Sequence, residues 1–402
     1  MNLSKKILSD PVNNRVFSNF RKDIFLVGGY LRDLLRGHIS KDKDFALKGD
    51  IRQIALDAAK KFKGTFIELK KNRTCRVAIR SGEFIDFTFL ENNILEDLQK
   101  RDFTVNAMAW SPETGLIDPL KGESDLKNRT IKVVNPDNLV DDPLRVLRAY
   151  RLAAQLGFSI DNKTRLFLRK YAELIVNVAP ERITEELFKL LNNEQAAYLL
   201  PLCHKDKVLN KVLGVKHLKF NNNIDLIRKF DRLIIKFKKE KKRKILHLLK
   251  ENVSQGLIRA GFIRLAILLI NARYIDKDHL RLSRKNRKKL RIIQNTYKLS
   301  RERITRERLY RLLKEADESV YEAAIVLSTL KGTRANLFLD IADHFIKIKN
   351  KRLFTGNEIQ EILNIGSGEL VGKIKDELEK RIFLGYIRNK PEAREWILSN
   401  FT

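Results

Sequence analysis

Residues 28–44 read GGYLRDLLRGHISKDKD, and the fold turns on this stretch. An apolar run, Phe25-Leu26-Val27, leads into Gly28 and Gly29. The run, over Ile24–Val27, reads as a strand, and a Gly-Gly turn after it lets backbone N–H groups approach a phosphate. Tyr30–Arg36 has the spacing of a short helix ended by Gly37. Lys43–Leu47 reads as a second strand, with Asp42 and Asp44 at its start. Residues two apart on a strand point to the same face. Two carboxylates on one face are hard oxygen ligands suited to Mg²⁺, which completes its shell with substrate phosphates. Either piece alone is common on ordinary domains. In this order, with Arg32-Asp33 on the intervening helix, they fit transfer of a nucleotidyl group.

Outward from that stretch, helical spacing over Ile51–Phe62 ends at Gly64. Thr65–Leu69, Cys75–Arg80 and Glu83–Leu90 read as strands, the last two joined by a Ser81-Gly82 turn. Strands with interposed helices indicate an α/β or α+β domain in the first third. From about residue 141 the pattern turns helical: Leu144, Leu147, Tyr150 and Leu152 are helically spaced, Gly157 interrupts, and Thr164–Leu174 and Arg182–Leu191 continue. Beyond residue 205 the chain is helical and basic, with dense clusters KFKKEKKRK (236–244) and RLSRKNRKKLR (281–291). Gly366-Ser367-Gly368 reads as a plain helix-start turn.

A chain of 402 residues exceeds one typical core, so more than one domain is expected. Lys and Arg total 81 against 50 Asp and Glu, a formal charge of +31 that calls for an anionic partner. An apolar content of 43% excludes a disordered basic tail, so a folded nucleic-acid-binding surface is the leading reading. Cys75 and Cys203 are far apart and in no Cys-x-x-Cys pair, which argues against a zinc site or disulfide framework. The start, MNLSKKILSDPVNN, lacks the apolar core of a signal peptide, and Leu265–Ile270 is too short to span a bilayer. A soluble, cytoplasmic protein without membrane contact is expected.

Further segments carry a resemblance: DLQKRDFTVNAMAW (97–110), GLIDPLKGESDL (115–126), DDPLRVLRAYRLAAQLGF (141–158) and PERITEELFKL (180–190). With GGYLRD and DKD they resemble the class II tRNA nucleotidyltransferases, which comprise CCA-adding, CC-adding and A-adding enzymes and bacterial poly(A) polymerases. The resemblance is dense over residues 24–191, and 355–397 is similar to the tail of CCA-type members. It implies an α+β fold: a polymerase-beta-like head with a mixed sheet (1–140), a helical neck with a base-selecting helix (141–205), and an elongated helical, basic body and tail binding tRNA (206–402).

The resemblance also assigns roles. Asp42 and Asp44 would bind two Mg²⁺ ions, with Asp86 a third carboxylate or an ordinary polar strand residue. Gly28, Gly29 and Arg32 would hold phosphates, and Asp33 would fix the turn. Arg101, Asp102 and Asn106 would contact the ribose. Asp142 and Arg145 would template C and A, assisted by Arg148, because a carboxylate beside a guanidinium matches the amino donor and ring-nitrogen acceptor of those bases. Asp142 before Pro143 also suits a helix N-cap. Full CCA-adding members carry a flexible segment before the DLxxRD helix, yet only 91–97 follows the strand ending at Leu90 here. That shortening implies a CC-adding enzyme using CTP on the acceptor arm and elbow of tRNA. Complete CCA addition with CTP and ATP is the alternative, and a poly(A) polymerase is disfavoured because residues 60–90 hold no Arg-Arg-Phe segment.

Overall fold

The computed structural model describes residues 3–19, 23–80, 82–217, 220–254, 256–270, 272–274, 279–332, 335–350 and 353–401. It divides into two compact units, Met1–Leu190 with Tyr198–Leu213, and Leu191–Ala197 with Gly214–Thr402.

The first unit opens with helices α1 (Leu3–Leu8) and α2 (Pro11–Asn19). Then follow β1 (Ile24–Val27), α3 (Gly29–Leu35), β2 (Asp42–Leu47), α4 (Ile51–Phe62), β3 (Thr65–Lys70), β4 (Thr74–Ala78) and β5 (Phe84–Phe89). After α5 (Ile94–Gln99) and a 3₁₀ turn at Thr104–Asn106 come β6 (Ala109–Ser111) and β7 (Gly115–Ile117). The strands form one mixed sheet in the order β3-β4-β5-β2-β1-β6-β7, in which only β2 and β5 pair in parallel.

Alternation along the strands decides which residues meet the core and which meet the site. Lys43, Phe45 and Leu47 of β2, Cys75 and Val77 of β4, and Ile85 and Phe87 of β5 are buried on one face. That core includes Ile7, Val16 and Phe17 of the N-terminal helices and Leu31, Ala55 and Ala58 of α3 and α4. Phe45 and Phe87 stack with centroids 5.7 Å apart, and burying each such ring contributes about 2–3 kcal/mol. Lys43 is the polar intruder: it is 1% exposed, and its ammonium lies 3.2 Å from Asp10, which caps α2 by accepting from the Val12 and Asn13 N–H groups. The intervening residues Asp42, Asp44, Arg76 and Asp86 take the opposite face.

The chain then forms α6 (Gly122–Lys127), β8 (Thr130–Ile131), α7 (Asn138–Asp141), α8 (Leu144–Leu156), β9 (Ser159–Ile160), α9 (Asn162–Lys170), α10 (Pro180–Asn192), α11 (Ala196–Lys205) and α12 (Val208–Leu213). Gly157 ends α8 in the left-handed region at φ 68°. The helix expected over 164–174 stops at Lys170, and Ala172–Asn177 tightens into a 3₁₀ turn. A hub follows: Asp206, fully buried, accepts from Tyr150, from Arg165 through two nitrogens, and from Arg169. Burial opposes the charge of Asp206, but the Arg165, Arg169 and Tyr150 donors outweigh it and hold the carboxyl below its usual range.

The second unit is mostly helical: α13 (Phe220–Lys239), α14 (Arg243–Lys250), α15 (Arg259–Leu268), α16 (Arg284–Ser300), α17 (Arg306–Ala316), α18 (Val320–Lys331), α19 (Ala335–Asn350), α20 (Gly356–Leu363), α21 (Glu369–Leu384) and α22 (Lys390–Phe401). Two short ladders join it, Val215–His217 with Arg273–Tyr274 and Asn252–Ser254 with Leu257–Ile258. Among the described residues no helix is long and apolar enough to cross a membrane. Ser81 of the expected turn lies outside the described residues; its neighbours close the turn through Gly82 N–H to Ile79 O and Ile79 N–H to Glu83 O, both at 2.9 Å.

Candidate active site

On the face of the sheet away from the aromatic core lies a cleft of about 520 Å³. It is lined by Gly28, Gly29, Arg32, Asp42, Asp44, Arg101, Asp102, Asn106, Asp142, Arg145 and Arg148. The structure thus brings together every residue singled out from the sequence except Asp86. A larger cavity of about 770 Å³ in the second unit, with Leu309, Leu337, Phe338, Ile341 and Phe383 in its wall, contains none of them.

Gly28 is required twice over. Its φ of +75° favours glycine, and a Cβ there would come 3.0 Å from Arg101 Nη1 and 3.4 Å from Asp44 Oδ2. Val27 pairs with Asp44 across β1 and β2, so strand register seats the glycine turn beside the carboxylates. Asp42 is exposed and Asp44 half-buried. Among the described residues, no hydrogen bond or ion pair reaches either carboxylate. Burial, then the nearby charge of Asp86, pushes the Asp44 carboxyl up to about 6, against partial relief from Arg101.

A divalent cation fits this pair: two hard oxygen donors share a face, and neither is spent on a protein partner. Among the described residues no cluster of three or more His, Cys, Asp or Glu side chains is arranged to hold a metal. A cation at Asp42 and Asp44 would therefore take its remaining ligands from substrate oxygens and water. Asp86 stands opposite Asp44 in the parallel β2–β5 register. Both its oxygens accept from Arg76, Oδ1 from Nε and Oδ2 from Nη2, each at 2.7 Å.

A continuous chain of polar contacts crosses the cleft floor. Arg32 donates through Nε and Nη2 to Asp33 (3.0 and 2.8 Å) and through Nη1 to Asn106 Oδ1 (2.7 Å). Asn106 Nδ2 donates to Asp102 Oδ1 at 3.0 Å, and Arg148 Nε donates to Asp102 Oδ2 at 3.0 Å. Burial opposes ionisation of Asp102, yet the Arg148 charge, Asn106 and the Phe103 N–H keep its carboxyl below the usual range. Asp33, expected to fix the turn, instead grips Arg32. Arg101 is anchored by Asp97 through Nε and Nη2 and leaves Nη1 facing Gly28.

Asp142 and Arg145 both line the cleft, joined by the Arg145 N–H to Asp142 O backbone bond, but among the described residues their side chains do not bond to each other. Asp142 Oδ1 accepts weakly from the Leu144 N–H at 3.4 Å, a partial cap, and its Oδ2 accepts from Arg182 Nη2 at 2.9 Å. Arg145 Nη1 donates to the Asn138 carbonyl at 3.1 Å. Asn138 is itself fixed by donating to the Gln99 and Arg101 carbonyls.

Sequence reasoning missed Tyr30, Ser40, Arg151 and Gln155 in the wall. The last two were within reach: 145, 148, 151 and 155 repeat at helical spacing on one face of α8. Arg151 donates to buried Glu186 and to Gln155, both at 2.6 Å. Arg182 and Glu186 come from α10, more than thirty residues away, and no local pattern announces them.

Both basic clusters of the second unit are partly neutralised: Lys236, Lys238 and Lys244 pair with Glu240, Glu194 and Asp343. Lys285, Lys288 and Lys289 pair with Glu318, Asp317 and Glu322. At the α13–α14 turn, Lys239, Lys241, Lys242 and Arg243 are exposed, and among the described residues they make no ion pair.

Residues 24–132 match the poly(A) polymerase head domain, and residues 157–218 match the probable RNA and SrmB-binding site of polymerase A. A mixed-sheet head with an unpaired Asp-x-Asp beside a glycine turn defines a nucleotidyltransferase. A CC-adding tRNA nucleotidyltransferase of Synechocystis sp. is 31% identical over 388 residues, 92% of this chain and 91% of its own length. A CCA-adding enzyme of Geobacillus sp. is 26% identical over 94% of this chain and 93% of its own. The Thermotoga maritima CCA-adding enzyme complexed with tRNA superposes with a TM-score of 0.77 over 100% of this chain and 99% of its own at 21% identity, a likeness of fold. The chain belongs to the tRNA nucleotidyltransferase family.

Proposed function

We propose that this enzyme adds CMP residues, the CC of the 3′-terminal CCA, to tRNA 3′ ends from CTP without a nucleic-acid template. The observation that carries the stopping point is the connection between β5 and α5. It has four residues, Leu90–Asn93, and they are tied down. Leu90 N–H bonds Leu47 O, Glu91 pairs with Arg73, and Asn93 caps α5 through the Glu96 N–H. Nothing of a flexible loop is left to reshape the pocket for ATP. The full-length likeness to a CC-adding relative supports the same reading.

In this reading Asp42 and Asp44 would hold Mg²⁺, which when bound would supply acidification of the primer 3′-hydroxyl and charge neutralisation for the triphosphate and pyrophosphate. Gly28 and Gly29 let the phosphates approach the backbone, and Arg101 Nη1 and Arg32 present cations to them. Asp102 and Asn106, locked by Arg32 and Arg148, offer an acceptor and a donor to the ribose. A 2′-deoxy sugar would leave those buried groups unmatched. Asp142 and Arg145 read the base edge, and Arg148 supports them through Asp102. We place this chemistry in a head of residues 1–140 and a neck of 141–205 in the cytoplasm. The body and tail, 206–402, would track tRNA phosphates by shape.

The test is incorporation by the purified protein on tRNA lacking its CCA end. The expected result is extension by two nucleotides with CTP and none with ATP alone. Addition of a terminal A would overturn the CC-only reading in favour of complete CCA synthesis, to which the likeness of the Geobacillus CCA-adding enzyme points. Long A tails on generic RNA would indicate a poly(A) polymerase.

A further inference from the structure

Three neighbouring strands present a row across the cleft face of the sheet: Asp44 on β2, Asp86 opposite it on β5, and Arg76 opposite that on β4. Adjacent strands lie about 4.8 Å apart, so the row places a carboxylate within ligand reach of its neighbour. The middle member is not free. Arg76 grips both oxygens of Asp86 in a two-point fork at 2.7 Å each. The fork is fixed from its other side, because the Arg76 guanidinium stacks over the Phe84 ring, 4.9 Å from its centroid. Phe84 stands opposite Asp42 in the strand register, two residues from Asp86 on β5, so it belongs to the neighbouring row on the same face.

We propose that Arg76 is a positioning residue that withholds Asp86 from the metal, making this a two-carboxylate centre flanked by an arginine-latched third. The inference rests on Asp42 and Asp44 being the metal-holding pair. A carboxylate shared by a bidentate guanidinium has its best lone pairs already directed. To enter a metal shell, Asp86 would have to break that fork and leave Arg76 without its partner. The latch also balances charge. Arg76 offsets the charge of Asp86, so Asp42 and Asp44, with Arg101 also near Asp44, are left to attract the cation. With Asp86 released, the site would draw a cation more strongly but hold it with one ligand too many for substrate oxygens to replace.

Mn²⁺ titration of the full-length protein without nucleotide, read by calorimetry or electron paramagnetic resonance, tests this. Asp44→Asn should weaken Mn²⁺ binding about tenfold or more, while Asp86→Asn changes it by less than about threefold. Arg76→Met should tighten binding about tenfold in the otherwise unaltered protein, and by less than about threefold when introduced into Asp86→Asn. Arg76→Lys keeps the charge but cannot span both oxygens, so it should give a smaller gain in the same direction and serves if the methionine variant folds poorly. Loss of Mn²⁺ affinity in Asp86→Asn equal to that in Asp44→Asn would overturn the latch. So would an equal gain from Arg76→Met when it is measured against Asp86→Asn as the starting protein, because that would be a charge effect alone. Failure of the unaltered protein to bind Mn²⁺ at all would instead overturn the reading of the pair itself.

Discussion

Within the first unit, two groups of carboxylates are treated in opposite ways. Asp206 is buried and receives four donated hydrogen bonds from three side chains. Among the described residues the carboxylates of Asp42 and Asp44 receive none, although Asp44 is half-buried and faces Asp86. The second unit repeats the contrast with cations. Lys285, Lys288 and Lys289 of α16 are matched to Glu318, Asp317 and Glu322, while among the described residues Lys239, Lys241, Lys242 and Arg243 at the α13–α14 turn make no ion pair. Satisfied charges hold a fold together, and unsatisfied ones cost stability unless a ligand completes them. The difference separates structural from functional charge without reference to motif.

The sharpest way to break this contrast is Asp42→Asn. Nucleotide incorporation should fall by about 10³-fold or more, with tRNA affinity in chelator little changed. Filter binding alongside the incorporation assay checks both, and lost binding would argue that Asp42 shapes the fold. Next in size is Asp206→Ala, which strands Arg165 and Arg169 and should cost about 3–5 kcal/mol in urea unfolding. The sign of its pH dependence follows from the depressed carboxyl. Its stabilisation is complete above the unfolded value of about 3.8 and disappears as the pH falls through the lower folded value. Asp206→Asn should therefore flatten the acid limb of the stability curve and leave pH 7–8 uniformly less stable.

A smaller effect is expected from the cations. Replacing Lys239, Lys241, Lys242 and Arg243 by Gln should weaken tRNA binding about tenfold at low salt and reduce the salt slope by about 0.7–0.9 per lost phosphate contact. The same change at Lys285 and Lys288 should alter the slope less, because those charges are already neutralised; equal effects would erase the distinction. Smallest is Arg182→Ala. Arg182 and Asp142 form a half-exposed pair, and such pairs are worth about 0.2–1 kcal/mol, so KM for CTP should shift by no more than about fivefold.

Much of this was legible before any coordinates. β1 and α4 occupy Ile24–Val27 and Ile51–Phe62, the bounds that apolar spacing and glycine stops predict. The glycine turn, the carboxylate pair and the RDFTxN segment fall in one cleft because local patterns carried each of them. What stayed hidden was long-range or short. Lys43 sits between two site aspartates, yet it is buried against Asp10, more than thirty positions earlier. The grip of Arg182 on Asp142 spans forty residues. Ladders of two or three residues, such as Thr130–Ile131 with Ser159–Ile160, are too brief for any periodicity to register. The fate of Asp86 depended on which residue of β4 lies opposite, and that register has no signature in sequence.

The most direct measurement compares Asp44→Asn and Asp206→Asn side by side, scoring CMP incorporation per folded molecule and the melting midpoint in metal-free buffer. The account predicts that Asp44→Asn is inactive but melts at or above the unaltered protein, since it loses an unpaired charge. Asp206→Asn should keep incorporation within about threefold while melting several degrees lower. Incorporation surviving in Asp44→Asn, or vanishing in folded Asp206→Asn, would contradict it.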